Sequence, residues 1–168
     1  AGRVIGAGLR AIVGSRELAE ALAAAARRAS TKAVIHIKVE TGLNRFGLGP
    51  DAAAALAQEL RASEDLTVEG LCTHLASIDE GDIEFTGRQV AAFQKCADRV
   101  SWVPIRHLSS TGGLLDAPEL RLNMVRVGIG LYGHYPNGEK RTHVSLLPAL
   151  ALRTRVARVQ EVASGESV

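Results

Sequence analysis

Residues 36–49 read His-Ile-Lys-Val-Glu-Thr-Gly-Leu-Asn-Arg-Phe-Gly-Leu-Gly. An imidazole, an ammonium, a carboxylate and a guanidinium fall here within one short stretch, on His36, Lys38, Glu40 and Arg45. Residues 34–39 alternate as a strand does, with Ile35, Ile37 and Val39 on one face and Val34, His36 and Lys38 on the other. A strand with Lys38 opposite an apolar face needs a polar interior or water. Charges and a turn glycine then follow at its C-terminal end, where parallel α/β folds bind ligands. The residues alone leave two readings open: a ligand-binding loop, or an edge strand with a solvated face. Three further groups carry chemistry. His74, in Thr73-His74-Leu75-Ala76, is either a ring that stacks on a ligand or a core histidine satisfied by a carbonyl. Thr111, in Ser109-Ser110-Thr111-Gly112-Gly113, is a hydroxyl for an anion or part of a Ser/Thr-rich turn. Arg126 cannot give up its proton at working pH, so it is either an obligate donor or a surface ion-pair member. After it, Gly128 lets backbone approach an anion, and the amides of Gly128 and Ile129 can donate to phosphate oxygens.

Alternating strands and helices must position these groups. Ser15 is a good N-cap, and Leu18, Ala21, Leu22, Ala25 and Ala29 then recur on one helical face. Arg27 and Arg28 suit its C-terminal end. Pro50 fits a helix first turn, followed by an Ala-rich helix over 51–61. Strands are expected at 66–73, 103–109 and 122–127, and a helix from Asp82 to about Arg99. That rhythm predicts a parallel sheet. It changes after Tyr132. A polar loop over 133–142 precedes an alternating run over 150–162, which reads as a half-exposed strand. His134 and His143 read as solvated. Gly6-Ala7-Gly8-Leu9-Arg10-Ala11 fits the dinucleotide pattern G-x-G-x-x-A. It lacks the strand, helix and acid that the motif needs: only residues 3–5 could be the strand, and residues 9–13 look extended.

The 168 residues are 46% hydrophobic and 23% charged with net charge +2, which is ordinary globular composition. Positive charge is not gathered in one block and aromatics are only 4%, so nucleic acid is not an expected partner. No apolar run approaches the roughly 20 residues of a membrane span, and no signal peptide opens the chain. Cys72 and Cys96 lack metal-type spacing and read as buried thiols in a reducing, cytoplasmic setting.

Residues 36–47 resemble the signature loop of the alanine racemase family, pyridoxal-phosphate (PLP) enzymes of the TIM-barrel type. Three more resemblances follow in the family's order: Thr73-His74-Leu75-Ala76, His107-Leu108-Ser109-Ser110-Thr111-Gly112-Gly113, and Asn123-Met124-Val125-Arg126-Val127-Gly128-Ile129-Gly130-Leu131-Tyr132-Gly133. The resemblance implies that His74 packs flat against the PLP pyridine ring. Thr111 and the amides of Gly128 and Ile129 hold the phosphate. Ser110 stands where the family has Asn, and Val127 where Pro or Phe is usual. Arg126 meets the pyridine nitrogen, where many PLP enzymes place a carboxylate. A donor there weakens the electron sink and favours reprotonation at Cα over transamination. The resemblance assigns Arg45 and Lys38 to the catalytic site. Arg45 reaches the cofactor's phenolic oxygen and the substrate carboxylate, a task suited to a planar guanidinium. Lys38, often carbamylated in the family, orients Arg45. If 103–109 and 122–127 are barrel strands seven and eight, Thr111 and Gly128 follow them where TIM barrels hold phosphate.

The expected fold is therefore α/β. Residues 1–133 form the C-terminal half of a PLP-binding (β/α)8 barrel, and residues 134–168 a linker and the first strand of a β-domain. The expected function is a segment of an alanine racemase, interconverting L- and D-alanine as a homodimer by two-base proton transfer. Both ends look cut. Lys32, Lys38, Lys95 and Lys140 are the only lysines, and none has the context of the family's PLP-bearing lysine. The family's catalytic tyrosine belongs to the following β-domain, so this chain is expected to lack both proton carriers. Alternatives are another amino-acid racemase, such as a serine racemase, or a decarboxylase of the same fold, which Arg126 argues against. A non-catalytic PLP- or phosphate-binding barrel is an alternative of a different class.

Overall fold

The structure is a computed structural model that describes residues 1–138 and 144–166. Lys140, His143 and part of the expected 133–142 loop lie outside the described residues.

Four strands, β1 (Ala11–Val13), β2 (Ala33–Lys38), β3 (Leu66–Cys72) and β4 (Ile105–His107), form one sheet in the order β1-β2-β3-β4. All three pairings are parallel. Each crossover carries a helix: α2 (Arg16–Arg28), α3 (Pro50–Leu60) and α4 (Ile83–Arg99). Crossovers between parallel strands are right-handed. A strand order that never reverses therefore puts all three helices on one face and leaves the other open, as in one sector of a barrel.

The helices start where the sequence signals them. The Ser15 side chain accepts from the Leu18 amide, and Asp82 accepts from that of Phe85. Pro50 opens α3. Ile35, Ile37, Val39 and Leu71 are fully buried and share a core with Leu22, Ala26, Ala53, Leu56, Phe93 and Ala97. Burying each large side chain contributes about 1.5–3 kcal/mol.

Two expected strands are absent, and the dinucleotide pattern lacks its strand, as the sequence indicates. Residues 3–5 lie in a short helix, α1 (Gly2–Gly6), so Gly6 ends a helix instead of following a strand. With no reversal of strand order either, the dinucleotide reading is excluded. Residues 122–127 are not a strand. Leu122 takes a left-handed φ of 50°, and the Asn123 side chain occupies the edge of β4, accepting from Arg106 N and donating to Pro104 O, both at 2.7 Å. Only Arg126 N, donating to Ser109 O at 3.0 Å, reproduces a ladder-like bond. Residues 150–162 are exposed and form no strand. Their alternation is real, but among the described residues nothing pairs with them, and an unpaired strand leaves its backbone groups to water. No helix among the described residues is long and apolar enough to cross a membrane.

Candidate functional site

Register decides what meets on the open face. His36 lies opposite Gly70, Lys38 opposite Cys72, and Cys72 opposite His107. These residues therefore share the face away from the helices. β2 is an interior strand, and His36 and Lys38 are only 4% and 3% exposed. The solvated-edge reading of this stretch is thus wrong. Cys72 and Cys96 are both buried free thiols, as expected, and burial raises both to about 11.

Arg126 is the hub. Its Nη2 donates to Thr73 O at 2.7 Å and Leu108 O at 3.3 Å, and to His74 Nδ1 at 3.2 Å. Its Nη1 donates to His107 Nδ1. These partners are carbonyls and imidazoles. Among the described residues no carboxylate forms an ion pair with Arg126, so it is not a surface ion-pair member. Burial lowers its pKa, followed by repulsion from Arg45 and opposed by Cys72. The same guanidinium acts on its neighbours. Burial and then Arg126 push His107 down to about 3, and the same causes lower His74. Both imidazoles are therefore neutral near pH 7 and can accept from Arg126.

Thr111 opens the short helix α5 (Thr111–Asp116) and is buried. Its Oγ1 accepts from Gly128 N at 3.1 Å and Gly130 N at 3.3 Å. The expected hydroxyl and glycine backbone thus meet. Space is tight at Gly130, where a Cβ would press on the Thr111 methyl at 2.8 Å, and open at Gly128, where it would meet nothing. Ile129 begins a single 3-10 turn that ends at Tyr132. Ser110 is the residue before α5, and its carbonyl accepts from Leu114 N at 3.0 Å.

Lys38 and Arg45 each approach the Phe46 ring, with Nζ 5.7 Å and Cζ 6.0 Å from its centre. Arg45 is exposed, whereas Lys38 is buried and donates to Val39 O at 3.0 Å. Burial holds the Lys38 ammonium below the usual lysine value, against the opposing pull of Glu40. Buried ammoniums normally carry a paired charge. Among the described residues no carboxylate lies within ion-pair distance of this one.

Sequence reasoning gave no role to several residues that hold this site. Gln89 of α4 is fully buried. It accepts from Ala76 N at 2.8 Å and donates to Thr41 Oγ1 at 3.3 Å, joining the loops after β2 and β3. Thr41 and Thr73 are themselves linked at 2.7 Å. His107, Glu69 and Gly70 were likewise unassigned. A buried polar residue inside an amphipathic helix was a usable signal for Gln89, whereas the contacts of His107 depend on register.

Residues 1–136 match the family model described as alanine racemase, N-terminal domain. The chain is 37% identical over 158 residues to the alanine racemase of Desulfovibrio desulfuricans, covering 92% of this chain and 43% of that protein. It is 33% identical over 160 residues to that of Halothermothrix orenii, covering 93% and 42%. Among solved structures it resembles the Clostridium difficile 630 alanine racemase complex with cycloserine. The TM-score is 0.81 at 33% identity, covering 88% of this chain and 42% of that one. The E. faecalis alanine racemase gives a TM-score of 0.78 at 26% identity, covering 87% and 40%. The chain thus spans less than half the length of the curated relatives it matches. The family model over residues 1–136, with relatives 33–37% identical over most of the chain, shows that this chain belongs to the alanine racemase family.

Proposed function

We propose that this chain is the PLP-phosphate and ring-nitrogen portion of an alanine racemase interconverting L- and D-alanine. The carrying observation is the Thr111 hydroxyl, tied to the Gly128 and Gly130 amides, at the same end of the sheet as an Arg126 that has no carboxylate partner among the described residues. This donor set fits PLP: a hydroxyl and backbone amides suit a phosphate, and an obligate N–H donor suits an unprotonated pyridine nitrogen. PLP bound there supplies an electron-accepting ring that makes the Cα proton of alanine removable. Arg126, gripped by four acceptors, keeps donating and never delivers a proton. Thr111, Gly128 and Ile129 hold the phosphate, with Ser110 beside them. His74, kept neutral, gives the ring a flat, uncharged neighbour. The Arg45 guanidinium takes the substrate carboxylate in a two-point contact. Lys38 is the carbamylation site. Burial favours its free amine, whose nitrogen adds to carbon dioxide and loses a proton, and the resulting anion orients Arg45.

In this reading residues 1–133 are the second half of an eight-stranded barrel, and residues 134–168 lead into a β-domain. The family's PLP-bearing lysine and catalytic tyrosine lie outside this chain. The tyrosine acts across a homodimer interface, in a cytoplasmic enzyme supplying D-alanine for cell-wall precursors. A decarboxylase of this fold is disfavoured because such enzymes usually place a carboxylate where Arg126 stands.

The test is titration of the chain with PLP and with pyridoxal, which lacks the phosphate, followed by absorbance. PLP should bind more tightly, and Thr111→Val should reduce that preference at least several-fold. Equal affinity for both compounds would sink the proposal.

A further inference from the structure

Arg126 is the last member of a longer chain of hydrogen bonds. His107 Nδ1 accepts from Arg126, and its Nε2 lies 2.7 Å from His36 Nδ1. His36 Nε2 lies 3.0 Å from Glu69 Oε2, which Arg10 Nε also reaches at 2.7 Å. Both imidazoles are buried. We propose that His36 and Glu69, with Arg10 behind them, are positioning residues for Arg126: they fix one direction of donation through His107 and so fix the guanidinium's place.

The direction follows from the two ends. A guanidinium can only donate, so His107 Nδ1 carries no proton. A neutral His107 then has its proton on Nε2 and donates it to His36 Nδ1. That leaves His36 protonated at Nε2, facing Glu69. Arg10, followed by His36, holds the Glu69 carboxyl below the usual glutamate value, so Glu69 accepts. Every bond points from Arg126 towards Glu69, and reversing any one would set two donors or two acceptors face to face.

Two backbone features make the chain possible. β3 has one residue more than β2 between the pairs Ile35↔Val68 and His36↔Gly70. The extra residue is Glu69, and such bulges re-aim side chains. The next residue, Gly70, has no side chain, and a Cβ there would lie only 2.4–2.7 Å from atoms of the His36 ring. Only a glycine lets His36 cross β3 to reach His107 on β4.

That Arg126 faces the ring nitrogen of PLP rests on the function proposed above; the order of the hydrogen bonds does not. The experiment is long-range 1H–15N correlation on the chain labelled at histidine nitrogens, without PLP. In the wild-type chain His107 and His36 should each show one neutral form, protonated at Nε2. Glu69→Gln keeps an acceptor oxygen and should retain that pattern. Glu69→Leu should lose it, with His107 showing both tautomers. A wild-type His107 protonated at Nδ1, or mixed, would overturn the proposal without any variant. So would a folded Glu69→Leu chain with unchanged tautomers. Should Glu69→Leu not fold, the wild-type spectrum decides alone. Loss of PLP binding with the tautomers intact would count against the proposed function and leave this chain of bonds standing.

Discussion

The two faces of β2 are equally dry and otherwise unlike. Ile35, Ile37 and Val39 are completely buried against helices, while His36 and Lys38 are almost as buried on the opposite side. On the helix face any apolar side chain of similar volume fits, because dispersion and burial are non-directional. On the inner face each polar group needs one particular partner at one distance, and an unmatched group costs about 1–3 kcal/mol. Stability is thus concentrated on one face and specificity on the other, within a single strand.

The largest expected effect comes from the helix face. Ile37→Ala should lower stability by about 2–5 kcal/mol through the cavity it leaves, by a similar amount at pH 5 and pH 8 when followed by urea unfolding. A strongly pH-dependent loss would mean that the two faces are coupled and the contrast is false.

Acid should act on the inner face. Folded His107 titrates at about 3 against a reference of 6.5. Between those values the unfolded chain binds a proton that the folded chain refuses, so stability falls as pH drops through that window. The loss is on the order of a few kcal/mol when complete. Several carboxylates add to it, so the informative quantity is the difference from His107→Gln, whose stability should fall less steeply from pH 6.5 to pH 4.

A smaller effect is expected at Lys38. Its folded pKa lies below 10.5, so between that lowered value and 10.5 the unfolded chain holds more protons, and stability rises with pH. The buried thiols oppose this. They titrate near 11 instead of 9.0, so the unfolded chain ionises first and stability falls between those values. Lys38→Met isolates the lysine. In buffer free of bicarbonate it should stabilise the chain at pH 7 by on the order of 1 kcal/mol and remove the lysine's rise. Bicarbonate should raise the intact mass of the wild-type chain by one carbamate and leave the variant unchanged. An unmodified Lys38 in bicarbonate would return it to a purely structural place.

The same contrast explains what could be read from the sequence. Period-two alternation placed β2, helical spacing after the Ser15 cap placed α2, and the Asp82 cap placed α4, because burial patterns and caps are local to the chain. Word-level resemblance picked out Arg126, His74 and Thr111, and the fold brings them to the same end of the sheet. The contacts of His36, Glu69 and His107 were not readable. They depend on strand register and on one bulge at Glu69, and neither leaves a periodic trace. The expected strands at 122–127 and 150–162 failed for a related reason: alternation records which way side chains point, not whether a neighbour exists to pair with.

Arg126 is proposed to offer PLP a donor at its ring nitrogen that can never protonate it. The direct measurement is the 15N resonance of PLP labelled at the pyridine nitrogen and bound to the chain. An unprotonated, hydrogen-bonded nitrogen is expected in the wild-type chain and a protonated one in Arg126→Glu. A protonated nitrogen in the wild-type complex, or one that Arg126→Glu leaves unchanged, would contradict it.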